Sequence, residues 1–132
     1  MCIYQFSIVM RSIENNYAFY KLDGGILYIR YHIGTIITLN AAIKIVADRL
    51  RLQDGISYPA LCDIRGVKEV NKPARDYLAL EGSILLKAVA FIIEHPMSEV
   101  LSKFYLRTTK PPVPIQSFQD LKEAEKFLAN YI

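Results

Sequence analysis

A charged segment follows the short apolar run at residues 60–64, and its residue types could bind a protein partner or a small anion. The segment CDIRGVKEVNKPARDYL, residues 62–78, contains two arginines, two lysines, an asparagine and several acids. Arginine beside a carboxylate forms charge-assisted pairs, and an asparagine two residues before a proline is typical of a helix start. A glutamate and a histidine follow the next apolar run. The candidate partner- or ligand-binding residues are Asp63, Arg65, Asn71, Lys72, Arg75, Glu94 and His95.

Two interpretations of these residues are open from the sequence. In the structural interpretation, Asp63 pairs with Arg65 or Arg75 and ties a strand to the next helix, which Asn71 caps. In the functional interpretation, the same residues present a charged surface to a partner, because ligands gather outside the carboxyl ends of the strands in open α/β sheets.

Glu94 and His95 have acid–base potential, because imidazole titrates near neutral pH and a neighbouring carboxylate can hold its proton. Adjacent residues leaving a strand point in different directions, however, and no activated serine or cysteine nucleophile is evident nearby. His95 before Pro96 is typical of a helix entry. We therefore predict no catalytic residues and a non-enzymatic protein, and we keep an enzyme of anionic substrates at Asp63, Glu94 and His95 as the third hypothesis.

The sequence predicts no metal site, no cofactor and no nucleic-acid partner. The two histidines and two cysteines, His32, His95, Cys2 and Cys62, have none of the CxxC or HxxxH spacings that bind metals. The 16 basic and 13 acidic residues give a formal charge of +3 and are spread along the chain without a block of one sign.

The cysteines and the first residues predict a cytoplasmic protein. Cys62 lies in an apolar run, where a free thiol behaves as a small hydrophobe, and it is far from Cys2. The apolar opening MCIYQFSIVM lacks the basic region and cleavage site of a signal peptide, and it is shorter than the roughly 20 residues that span a bilayer. We predict no membrane insertion and a natural start at Met10.

Hydrophobic periodicity predicts strands that alternate with helices. The strands are expected at residues 17–22, 26–31, 60–64, 87–93 and 115–118, with a tight turn at 23–25. Helices are expected to begin at Thr38, Asn71, Pro96 and Asp120, the last through a capping box with Glu123, and Gly55 is expected to end the first. The predicted buried face of the first helix is Leu39, Ala42, Ile43, Val46, Ala47 and Leu50. The predicted stripe of the last helix is Leu121, Ala124, Phe127, Leu128 and Tyr131.

The resulting order, ββαβαβαβα, predicts an α/β domain with a mixed, mostly parallel, five-stranded sheet flanked by helices. With 52% hydrophobic and 22% charged residues, 132 residues can build one full core. We place an N-terminal extension at residues 1–15 and a single domain at residues 16–132.

This order, with a hairpin first and a polar turn after the third strand, resembles the STAS domain and its SpoIIAA-like relatives. Within that group, CDIRGVKEVNKPARDYLALEGS, LRTTKPPVPIQSF and FQDLKEAEKFL resemble an uncharacterised STAS-like family of Bacteroidetes. In that family a strand ending in Asp-Ile-Arg, an Ala-Arg pair, a Lys-Pro loop and a Phe-x-Asp-x-x-Glu-Ala terminus recur. The resemblance implies a SpoIIAA-like fold and a regulatory role through protein contacts.

One departure from that family pattern concerns phosphorylation. In regulatory STAS domains the turn after the third strand carries an Asp-Ser-Ser/Thr-Gly motif whose serine a partner kinase phosphorylates. On that pattern Asn71 lies near the motif's aspartate, and Lys72 and Pro73 stand where the serines would be. The resemblance therefore implies a module without the phosphorylatable serine.

Two further hypotheses compete with the enzyme. The first is a protein-interaction module that binds another protein or itself, as a homodimer, through the charged segment. The second is a small-molecule or lipid carrier, because some SpoIIAA-like relatives resemble lipid-binding folds. A carrier predicts a cavity between helix and sheet, lined by Met97, Leu101, Phe104 and sheet residues.

Overall fold

A six-stranded sheet runs through the part of the chain that our computed structural model describes, residues 11–94 and 113–132. In chain order the strands are β1 (Ser12–Glu14), β2 (Ala18–Asp23), β3 (Ile26–Tyr31), β4 (Thr35–Ile37), β5 (Tyr58–Asp63), β6 (Val67–Val70), β7 (Leu86–Ile92) and β8 (Ile115–Phe118). The main sheet has the order β1-β2-β3-β5-β7-β8. Its first two pairings are antiparallel and its other three are parallel, so the predicted mixed α/β sheet is confirmed.

The hairpin of β2 and β3 follows directly from its turn residues. Asp23 pairs with Ile26, and Gly24 and Gly25 between them have φ angles of 59° and 83°. Two consecutive residues with positive φ make the turn that matches the twist of a hairpin, and glycine adopts this conformation without steric cost. The predicted turn is confirmed.

Three short strands have no counterpart in the predicted order. β1 pairs with β2 and makes the sheet six-stranded instead of five-stranded, and it lies before Asn16, the predicted start of the domain. β4 and β6 pair with each other in parallel as a separate two-stranded sheet. The charged segment after β5 therefore contains a strand as well as a turn. The three-residue strands β1 and β4 are too short to show an alternating pattern, and Lys68 and Glu69 lie together between the apolar residues of β6.

Helices cover both faces of the main sheet. The described helices are α1 (Leu39–Gln53), α2 (Lys72–Glu81) and α3 (Leu121–Leu128), and a 3-10 turn at Ala129–Tyr131 follows α3. One apolar cluster joins α1 and α2 to the sheet, and the other joins α3 to its opposite face. The central strands supply side chains to both clusters because successive residues of a strand point to opposite faces. The helix predicted to begin at Pro96 lies outside the described residues.

The helix starts at Thr38, Asn71 and Asp120 are confirmed, whereas the capping box predicted for Asp120 and Glu123 is wrong. The Thr38 hydroxyl accepts a hydrogen bond from the Ala41 amide at 3.3 Å, and the Asn71 side chain accepts one from the Ala74 amide at 3.0 Å. Asp120 is exposed and makes no side-chain cap bond to α3. Leu121, predicted to be buried, is 50% exposed.

The end of α1 lies close to its predicted position. The helix ends at Gln53, and Asp54 takes the left-handed conformation with a φ of 50°. The Asp54 amide donates to the Leu50 carbonyl at 3.1 Å and closes the last turn. Gly55, the predicted stop, follows one residue later and is also left-handed.

The buried face of α1 differs from the predicted one. Leu39 and Ile43, both predicted to be buried, are 40% and 41% exposed. The face that packs on the sheet is shifted around the helix, because it includes polar residues that an apolar pattern cannot identify. The buried residues of α1 are Ala41, Ala42, Ile45, Val46, Asp48, Arg49, Leu52 and Gln53.

Hydrogen bonds satisfy these buried polar residues. The Arg49 guanidinium donates to the Gln53 side chain at 2.6 Å and to the backbone carbonyls of Ile84 at 2.8 Å and Gly82 at 3.1 Å. The Gln53 amide group in turn donates to the Leu85 carbonyl at 2.8 Å. Asp48 accepts from the Asn15 side chain at 2.9 Å. Arg49 and Gln53 thus join α1 to the segment that leads from α2 into β7.

We expect Arg49→Ala to lower the free energy of unfolding by about 3 kcal/mol, because it leaves buried carbonyls unpaired and opens a cavity. Ile43→Ala on the same helix is expected to cost less than about 1 kcal/mol, because its side chain is largely exposed. Urea denaturation of the two variants tests this order. Equal losses would contradict the assignment of Arg49 to the buried face.

Candidate functional site

The carboxyl end of β5 carries an ion pair between two of the predicted site residues. Arg65 Nε donates to Asp63 Oδ1 at 2.8 Å, and Arg65 Nη2 donates to Oδ2 at 2.7 Å. The Arg65 backbone amide also donates to Oδ1 at 3.2 Å. This bidentate geometry holds the turn after β5, and the hydrogen bonds to Asp63 raise the pKa of Arg65. Of the two pairings in the structural interpretation, Asp63 with Arg65 is present and holds the turn, whereas Arg75 donates to the Val70 carbonyl.

The pair lies in an open cleft of about 460 Å³ at the edge of the sheet. Arg30 and Asp63 are paired residues of neighbouring strands, and Glu94 follows β7. The cleft therefore brings together three of the predicted residues, Asp63, Arg65 and Glu94. We call it the edge cleft, and it is lined by Arg30, Tyr31, His32, Ile33, Asp63, Arg65, Gly66 and Glu94.

Gly66 fixes the shape of the edge cleft. A Cβ atom on this residue would lie 2.5 Å from the Tyr31 carbonyl oxygen, so a larger residue would push the two chain segments apart. The Gly66 carbonyl accepts from the amides of Gly34 at 2.7 Å and Thr35 at 3.1 Å. The loop after β3 and the loop after β5 are therefore held against each other, which the sequence pattern did not reveal.

His32 belongs to the edge cleft, although the sequence did not predict it as a site residue. Its Nε2 lies 2.9 Å from Glu14 Oε2, and its Nδ1 lies 3.3 Å from the Asn16 carbonyl oxygen. Both ring nitrogens thus have partners on the segment around β1. The ring is oriented by these contacts and links β1 to the cleft.

Asn71, Lys72 and Arg75 do not line the edge cleft. Asn71 caps α2, and Lys72 donates to Asp76 at 2.9 Å on the exposed side of that helix. Arg75 Nη1 donates back to the Val70 carbonyl at 2.9 Å. The charged segment is therefore divided between the edge cleft and the start of α2. His95 lies outside the described residues.

A second cavity, of about 120 Å³, lies between α1, α2 and the sheet. Most of its described lining is apolar and comes from β3, β5, β7 and both helices. Its charged lining residues in that part of the chain are Arg49 and Arg75, and Ser83 adds a hydroxyl. We call this space the helix–sheet cavity. Arg49 was missed because a charged residue on a predicted helix is normally assigned to the exposed face.

Two titratable groups of the helix–sheet cavity are held neutral. Burial raises the pKa of the Cys62 thiol to about 12. Burial also raises the pKa of the Tyr31 phenol well above its usual value. Because the charged forms lose hydration in an apolar surrounding, the thiol and the phenol keep their protons at neutral pH. The cavity therefore contains no thiolate nucleophile from Cys62.

Cys62 makes the stability fall at alkaline pH. The pKa of about 12 in the folded chain exceeds the ordinary value of 9.0, so the unfolded chain loses the thiol proton first. The free energy of unfolding is expected to fall as the pH rises from 9 toward 12, with about 1.4 kcal/mol lost between pH 8 and pH 10. Guanidinium denaturation gives the free energy of unfolding of the wild type and of Cys62→Ala at each pH, and the change of their difference with pH measures the contribution of Cys62. Parallel pH profiles of the two chains would contradict this prediction.

The described residues offer little to other classes of chemistry. Residues 11–94 and 113–132 contain no group of three or more His, Cys, Asp or Glu side chains placed to hold a metal ion. Over the same ranges, no helix has the length and apolar character needed to cross a membrane.

The sheet order and helix placement define a SpoIIAA-like fold. The chain is similar to the crystal structure of an uncharacterized protein with a SpoIIAA-like fold from Shewanella loihica PV-4, of the DUF3478 family. The two share 18% sequence identity and a TM-score of 0.63, over 88% of this chain and 98% of that chain. The predicted SpoIIAA-like fold is confirmed.

At the level of sequence, the chain belongs to the family described as a domain of unknown function, DUF7793, whose model matches residues 20–132. No curated protein matches the chain. The link to a Bacteroidetes family stays a prediction.

Proposed function

We propose that the protein is a non-enzymatic interaction module that binds a second copy of itself through the edge cleft and the apolar side chains beside it. The observation that carries this proposal is Ile33, which lines the edge cleft and is 91% exposed. Ile36, Leu39 and Ile43 follow in the same stretch of chain and are 40% to 47% exposed. Exposed aliphatic side chains beside polar ones are typical of protein contact surfaces.

The charges around Ile33 suit a second copy of the chain. The edge cleft contains the cation Arg30 and the anion Glu94, and the nearby strand β6 exposes Lys68 and Glu69. A two-fold interface joins the same patch on both copies, so it requires both signs of charge on that patch. A partner with charges of one sign would require a patch of the opposite sign. This surface instead carries both signs.

A non-enzymatic role is supported by the partners of the potential catalytic groups. Both oxygens of Asp63 accept hydrogen bonds from Arg65, and both ring nitrogens of His32 have partners. These contacts direct both side chains at other parts of the chain, whereas a general base must lie within hydrogen-bond reach of the proton that it removes. These side chains instead stabilise the walls of the cleft.

Regulation at the turn before α2 would not use serine phosphorylation. Asn71, Lys72 and Pro73 carry no hydroxyl group, and the Asn71 side chain is engaged as the helix cap.

We expect Ile33→Glu to raise the dissociation constant of the homodimer at least tenfold, because it places a charge in the apolar part of the contact. Sedimentation velocity over a concentration series measures this constant. Leu80→Glu is the matched control, since Leu80 is 77% exposed on α2 and the same change there is expected to leave association unchanged.

The two arginines of the charged segment provide a second comparison. Arg65→Ala is expected to weaken association, whereas Arg75→Ala is expected to leave it unchanged, because Arg75 lines the helix–sheet cavity and not the edge cleft. A wild-type chain that stays monomeric at high concentration would overturn the proposal.

The second candidate function is a small-molecule carrier, and the helix–sheet cavity favours it. The cavity is apolar, partly open and about 120 Å³ in volume, whereas a well-packed core has few voids larger than a water molecule. An apolar cavity with a few polar groups is the usual form of a ligand site. The predicted lining residues Met97, Leu101 and Phe104 lie outside the described residues.

A further inference from the structure

We infer that the helix–sheet cavity binds an organic monoanion, with its oxyanion group at Arg49 and Arg75 and its apolar body against the sheet. This inference rests on the carrier function, the second candidate above, and adds the chemical class of the ligand. It is independent of the edge cleft.

Arg49 is a buried cation whose described partners carry no net charge. Arg49 is 3% exposed, and its guanidinium donates hydrogen bonds to the Gln53 side chain and to the backbone carbonyls of Glu81, Gly82 and Ile84. A guanidinium stays protonated at neutral pH, and a buried charge usually has a counter-charge. Carbonyl dipoles at the end of α2 stabilise the cation but leave its full charge in place.

Arg75 brings a second guanidinium to the same cavity. Its Nη1 donates to the Val70 carbonyl, whereas its Nε is buried and has no hydrogen-bond partner in the described part of the chain. Buried donors are nearly always paired in folded proteins, so an unpaired one beside a cavity indicates a missing acceptor. A bound oxyanion would supply that acceptor.

The described lining of the cavity contains no acid that could neutralise the two arginines. Its lining within residues 11–94 and 113–132 includes no aspartate and no glutamate. Cys62 and Tyr31 line it in their neutral forms, as described above. Two cations without an anion make the cavity selective for a negative ligand over a neutral one of the same shape.

The rest of the lining sets the shape of the ligand. Apolar walls come from residues such as Ile29, Ile45, Leu86 and Val89, and Ser83 can donate a hydroxyl hydrogen bond. A volume of about 120 Å³ accommodates roughly the body of a six-carbon chain or a small ring, since an engineered cavity of about 150 Å³ binds benzene. A short or medium-chain carboxylate has this combination of an apolar body and a planar oxyanion that an arginine binds in a bidentate manner.

The test is an NMR titration of the full chain with hexanoate and with hexanamide, which has the same shape but no charge. Backbone amide and arginine Nε–H signals report binding at the cavity. We expect hexanoate to bind at least tenfold more tightly than hexanamide, with the largest shifts at Arg49 and Arg75.

Variants assign the effect to the cavity. Arg75→Gln keeps a hydrogen-bond donor but removes the charge, and it is expected to weaken hexanoate binding about tenfold while leaving hexanamide unchanged. Arg51→Gln is the matched control, because Arg51 lies on α1 with its side chain 62% exposed and outside the cavity lining. Arg51→Gln is expected to bind hexanoate as the wild type does.

The outcomes separate this inference from the function on which it rests. Equal affinity for hexanoate and hexanamide would overturn the anion assignment while leaving a carrier of neutral molecules. Absence of binding by both compounds would overturn the inference and the carrier function together, with the edge-cleft proposal unaffected.

Discussion

The hydrogen bonds of the Arg49 guanidinium connect parts of the fold that are far apart in sequence. From α1 this side chain reaches the carbonyls at the end of α2, and Gln53 one turn later reaches the carbonyl of Leu85, just before β7. Leu85 has a left-handed φ of 60°, so the chain makes a sharp change of direction there. An apolar residue at position 49 could fill space but could not satisfy these carbonyls. The position of α2, the entry to β7 and one wall of the helix–sheet cavity all depend on this contact.

The two sites differ because the chain satisfies its charges differently in each. In the edge cleft Arg65 and Asp63 form a complete pair, so the surface is fixed in shape and both signs of charge remain available nearby. In the helix–sheet cavity the cations have hydrogen bonds but no counter-charge from the described chain. The first arrangement suits contact with another folded surface, and the second suits a ligand that brings its own charge.

Sequence patterns predicted the hairpin, the two helix caps and the long strands, because each depends on local residue types such as glycine at the turn or asparagine before a helix. They failed on α1, where Arg49, Asp48 and Gln53 occupy the buried face and displace Leu39 and Ile43 from it. The backbone carbonyls that Arg49 contacts are more than thirty residues away, so no local pattern contains them. Gly66 and the pairing of β4 with β6 were missed for the same reason, since they depend on contacts between two loops. The edge cleft was predicted through three of its residues, whereas the helix–sheet cavity requires the packing of α1 to be known.

The order of the sheet also has a consequence for how the chain folds. Short turns join β1, β2 and β3 to their neighbours in the sheet, whereas each parallel pairing from β3 to β8 joins strands that a longer stretch of chain separates. Closing such loops costs chain entropy before any contact forms, so long-range pairing slows folding. The hairpin of β2 and β3 can form by itself within microseconds. Once formed, it presents β3 as the edge strand with which β5 pairs. The N-terminal third of the domain therefore provides the template on which the edge cleft and the helix–sheet cavity are later assembled.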